Sequence, residues 1–97
     1  MFVGALRLEL MVDGSTSLKA KRSVVRHIVE VARRRFGVSA SEVAFQDQWQ
    51  RCALGFAVVA PTAGHVEEVL DKVERFVWSN PEVTVHAAAR HWLEVDA

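Results

Sequence analysis

Four cations, Lys19, Lys21, Arg22 and Arg26, crowd the stretch that follows Ser17. Serine is a favoured N-cap, so a helix is expected to begin here. The start of a helix is the positive end of its dipole, where cations cost stability and anions add to it. Unpaired N–H groups after Ser17, with Lys19, Lys21 and Arg22 around them, would suit a phosphate or sulfate. Arg26, one turn further on, extends that surface toward an RNA backbone. The plainer alternative is a solvated face on which Glu30 pairs with Arg26 and Arg33 at helical spacing. Arg33, Arg34 and Arg35 at the far end need no ligand, since cations there complement the dipole.

A second group, Gln46-Asp47-Gln48-Trp49-Gln50-Arg51, offers Asp47, Trp49, Gln50 and Arg51 as contacts to a base or a protein partner. A tryptophan flanked by amides and an arginine can stack a base or anchor an interface. Alternatively, Trp49 folds over a sheet edge while Asp47 pairs with Arg51; burial of Trp49 separates the two. Other chemistry does not assemble. His27, His65, His86 and His91 are scattered with no metal-ligand spacing, and His86 and His91 would lie on opposite faces of a regular strand. Cys52 has no base beside it and is expected to be a buried small hydrophobe. No glycine-rich phosphate loop or nucleophile elbow is present, so no metal, cofactor or catalytic residue is expected.

These residues need elements to hold them. Val3 to Val12 alternates, with Leu6, Leu8, Leu10 and Val12 on one side and Ala5, Arg7, Glu9 and Met11 on the other, as a half-buried strand does. The loop Asp13 to Ser17 leads into a helix over Leu18–Phe36, stopped at Gly37. Strands follow over about Glu42–Gln48 and Cys52–Ala60. Thr62 caps a second helix with Val66, Val69, Leu70, Val73, Phe76 and Val77 inward, and Asn80-Pro81 ends it. A last strand runs from about Val83 to Val95. The order predicts an α+β, ferredoxin-like βαββαβ sandwich: one domain over residues 1–97, its four-stranded antiparallel sheet carrying both helices on one face.

In that fold Leu6, Leu8, Leu10, Leu54, Phe56 and Val58 face the helices. Ala5, Arg7 and Glu9 lie beside Ala53, Gly55, Ala57 and Val59 on the open face. RNA-recognition domains of this topology stack bases on aromatics there. The third strand offers only small residues, so base stacking on the sheet is not expected. A flat face of small residues does admit a second sheet, or the last strand of a neighbour, and a homodimer is expected through this face or an edge strand. Trp78 falls off the apolar stripe of the second helix and Trp92 alternates in the last strand; both are secondary interface candidates.

The net charge is zero, but residues 1–51 carry +4 and residues 52–97 carry −4. That polarity suits contact between subunits or a basic face toward a polyanion; a zero total argues against strong non-specific nucleic-acid binding. No apolar run is long enough to span a bilayer, no signal peptide is visible and the single cysteine forms no intramolecular disulfide. A cytoplasmic protein is the expectation. Nine arginines against three lysines are compatible with a heat-adapted source.

Ser17-Leu18-Lys19, Lys21-Arg22-Ser23-Val24, Gln46 to Arg51 leading into Leu54-Gly55, Val66-Glu67 and Asn80-Pro81-Glu82-Val83 together resemble the YlxP-like family, over essentially the whole chain. The resemblance implies a ferredoxin-like fold and an association with translation, because such proteins are commonly encoded among genes for translation initiation and ribosome maturation. The family typically has Glu where this chain has Ala20, which would complete a capping box with Ser17. Its absence puts the usual stabilisation of the helix start in doubt and makes an external anion more attractive. The expected protein is a non-enzymatic accessory factor that meets RNA or a ribosome-associated partner; the alternative is a homodimeric protein-interaction module with no nucleic-acid role. An acylphosphatase-like activity is disfavoured, since the Asp13–Ser17 loop lacks the Gly-x-x-Phe-Arg ending of that family and the second and third strands supply no suitable Asn.

Overall fold

Alternation of apolar and polar residues makes β1 (Phe2–Val12) the central strand of a sheet ordered β2-β3-β1-β4, with β2 at Ser39–Ala44, β3 at Arg51–Ala60 and β4 at Val83–Glu94. The computed structural model describes residues 1–96. β3 and β4 flank β1 and β2 runs along β3, every pair antiparallel. Helices α1 (Leu18–Phe36) and α2 (Ala63–Trp78) connect them in the ferredoxin-like order βαββαβ.

The core lies between the sheet and the helices. Leu6, Leu8, Leu10 and Val12 from β1 meet Leu54 and Phe56 from β3 across the ladder, and Val25, Ile28, Val29 and Ala32 of α1 and Val66, Leu70, Val73 and Val77 of α2 close over them. Each large aliphatic buried this way contributes about 1.5–3 kcal/mol. α2 packs tightly on the sheet at Gly4, where a Cβ would collide with Val66 Cγ1, so the absent side chain is what lets helix and strand meet there.

Two elements depart from the sequence pattern. β2 begins at Ser39 and ends at Ala44, rather than spanning Glu42–Gln48. Phe45 ends it by adopting a left-handed backbone (φ 64°), and its carbonyl then accepts from Gln48 N at 3.1 Å to close a turn. β4 carries a bulge: Val85 faces Leu10 and Ala87 faces Glu9, leaving His86 as the extra residue. The two-residue alternation used to place His86 and His91 on opposite faces does not apply across that irregularity.

Candidate functional site

The start of α1 is capped as its sequence requires. Ser17 is extended and its Oγ accepts from Ala20 N at 3.0 Å, so the cap bond forms without a glutamate at position 20. No acidic residue lies in the first turn. Lys19, Arg22 and Arg26 are exposed, share one sector of the helix and enter no ion pair among the described residues. The alternative pairing of Glu30 with Arg26 and Arg33 is absent among the described residues too. Arg33 instead donates from Nε to the Ala40 carbonyl at 3.1 Å, tying the end of α1 to β2.

Lys21 is a correction. Its side chain is fully buried and shares no surface with the other three cations. Nζ donates to the carbonyls of Phe45 (2.7 Å) and Gln46 (3.3 Å) and lies 2.9 Å from Glu42 Oε2. Three partners match the three donors of an ammonium, the condition on which a buried lysine is tolerable. Glu42 Oε2 is itself buried and takes no hydrogen bond besides this ionic contact. The sequence did hold the signal. Lys21 stands four residues before Val25 and seven before Ile28, which puts it on the apolar stripe rather than among the exposed cations.

This burial joins the two motifs. The carbonyls that hold Lys21 belong to the turn carrying Trp49. That turn is further fixed by Val12 N donating to the Gln50 carbonyl at 2.7 Å and Gln50 Nε2 donating to the Ser15 carbonyl at 3.2 Å. The loop before α1 and the β2–β3 turn therefore lie side by side at one end of the sandwich. Trp49 is 56% exposed there, so it is not folded away over the sheet edge.

The other residues of the turn divide. Gln50 spends its amide nitrogen on Ser15. Asp47 is exposed and does not pair with Arg51. Arg51 donates to Glu9 Oε1 at 3.0 Å and lies 3.7 Å over the Phe45 ring, where cation and ring attract. A hollow of about 540 Å³ brings Trp49 and Arg51 together with Met11, Gln48 and Gln50.

Electrostatics limit where an anion would sit. A second hollow on the Ala20 side of α1 is bordered by Asp13 and Glu82, whose carboxylates supply negative charge where the expected glutamate is missing. Thr84 Oγ1 holds Asp13 Oδ2 at 2.7 Å. The surface open to an anion is accordingly the Lys19, Arg22 and Arg26 sector.

Nothing at this end has the form of an acid–base pair or an activated nucleophile. Cys52 lies in the core beneath it, where burial pushes its thiol up to about 11, with the Glu42 carboxylate adding to the rise and Lys21 opposing it. Among the described residues no group of three His, Cys, Asp or Glu side chains is placed to hold a metal ion, and no helix is long and apolar enough to cross a membrane. Trp78 is also exposed, over a groove of about 610 Å³ whose Arg90 is paired to Asp71 (2.8 Å) and Glu74 (3.2 Å).

A family model described as "Protein of unknown function (DUF503)" matches residues 3–90. The uncharacterized protein YlxP of Bacillus subtilis (strain 168) is 33% identical over 90 residues, which cover 93% of this chain and 98% of the relative. Among solved structures, a dimeric ferredoxin-like protein from an uncultured marine organism aligns with a TM-score of 0.56 over 100% of both chains at 9% identity, a likeness of fold.

Proposed function

The chain belongs to the DUF503 family of proteins of unknown function, and we propose that it is a non-enzymatic cytoplasmic accessory factor that contacts RNA or a ribosome-associated partner. The observation that carries this reading is the set of three exposed cations, Lys19, Arg22 and Arg26, without ion-pair partners among the described residues, at a helix start that has no acidic residue in its first turn. They meet phosphates, and Trp49 stacks a base or packs on a partner side chain, with Arg51 beside it. Lys21 holds the Trp49 turn against α1 and touches no ligand. A zero net charge argues against strong non-specific binding of a polyanion over the whole surface.

Two observations favour self-association as a second property: the open sheet face exposes Val43, Val59 and Leu93, and the structurally similar marine protein is described as dimeric. Taken alone, that property is the competing account, a homodimeric interaction module whose basic helix is merely solvated. Capture of the tagged chain from a lysate with and without nuclease separates the two. Ribosomal material retained without nuclease and lost with it supports the RNA reading. Its absence in both arms contradicts that reading.

A further inference from the structure

We propose that the open face of the sheet seats a second copy of this chain, the ridge Val59–Val3–Leu93 of each copy packing over the row Gly55–Arg7–Ala89 and the small Ala57 of the other. The proposal rests on the reading that the chain self-associates and adds the surface and its fit. The register sets Val3 opposite Val59 on one side and Leu93 on the other, so the three form one row across β3, β1 and β4. Val59 is 61% exposed and Leu93 58%, which is unusual on the solvent side of an antiparallel sheet, where polar residues are the rule. Immediately along the strands the face sinks. Ala57 pairs with Ala5, and Arg7 sits between Gly55 and Ala89. A hollow of about 380 Å³ lies here, bounded by Arg7, Val43 and His91.

A ridge beside a hollow on one face is a self-complementary shape. A two-fold axis lying across the strands between them places each ridge in the other copy's hollow, as an isologous interface requires. Leu93 then covers Ala89, Val59 packs beside Gly55 and the Val43 that overhangs it, and Val3 lies on the Arg7 side chain, the kind of interdigitation by which stacked sheets pack. Glu9, 3.8 Å from Arg7 and 3.0 Å from Arg51, offsets one of these two positive charges; Glu9 and Arg51 lie at the rim of the contact, while Arg7 lies beneath Val3 of the other copy. Area agrees with shape. Three strands of about ten residues and the six-residue β2, at about 4.8 Å spacing and about 3.3 Å per residue, project roughly 570 Å². The pleat raises the accessible area of such a face toward the roughly 800 Å² per partner of a stable complex.

Sedimentation equilibrium of the intact chain tests this against Val59→Asp/Leu93→Asp, with Val59→Asn and Leu93→Asn as milder variants should the double change disturb folding. The expected result is a dimeric parent and a dissociation constant raised by about 100-fold or more in the double variant, with each single variant intermediate and the far-ultraviolet spectrum unchanged. A parent that is monomeric throughout overturns both this proposal and self-association. A parent that is dimeric and variants that dimerise equally well overturn the open-face interface alone and leave pairing by the β4 edge.

Discussion

Lys21 shows how a single side chain can belong to a motif and yet serve a different purpose from its neighbours. Its ammonium is caged by two carbonyls and Glu42, so removing it strands a carboxylate and two acceptors in a site without water's compensation. Lys21→Met is expected to lower the unfolding free energy by about 3 kcal/mol. Lys19→Met, on the exposed sector, is expected to stay within about 0.5 kcal/mol; urea unfolding of the two variants checks the contrast. Residue type and periodicity conflicted at position 21, and reading the lysine by its charge rather than by its place on the stripe is what misplaced it. Cys52 gives the pH counterpart. Its thiol holds its proton more tightly in the folded chain, about 11 against an ordinary 9.0, so its contribution to stability is complete below pH 9 and is lost as pH rises toward 11. At pH 8 a thiol reagent should therefore label the native protein far more slowly than the urea-unfolded one, and equal rates would refute the buried, protonated thiol.

Elements, rather than single residues, determine how Trp49 is presented. β2 stops at Ala44 because Phe45 turns left-handed, and the turn so begun is bolted to α1 through Lys21 and to the preceding loop through Gln50. Trp49 is left on a fixed platform with half its surface in solvent. Trp49→Ala is expected to leave the unfolding midpoint nearly unchanged, within about 0.5 kcal/mol, while reducing capture of ribosomal material. Destabilisation by several times that amount would show instead that the ring covers the sheet edge. The long elements were legible in the sequence because their periods are strong: β1 and β3 alternate cleanly, and both helices carry apolar stripes between a capping hydroxyl and a terminating signal. β2 and the bulge in β4 were not. Six residues with an irregular ladder carry too little alternation, and an extra residue in a strand breaks the period that would reveal it. Proximity in sequence offers Asp47 as one partner for Arg51, whereas its actual partner Glu9 comes from β1, brought near by pairing across the ladder.

At the scale of the molecule, the unequal charge of the two halves takes on a location. The positive excess is displayed on α1 by Lys19, Arg22 and Arg26, while much of the negative charge in the second half lies along α2, where Asp71 and Glu74 are engaged by Arg90. The helix layer would thus face a polyanion from one end, and the sheet's open face would remain available to a second copy. The most direct measurement of the central claim is the affinity of the chain for purified ribosomal RNA across a salt titration, for the parent and for Lys19→Ala/Arg22→Ala/Arg26→Ala. Three phosphate contacts predict that log K falls against log salt with a slope of about −2 to −3, and that the triple substitution removes most of that slope along with most of the affinity. An affinity indifferent to salt, or one the triple variant retains in full, would contradict the account.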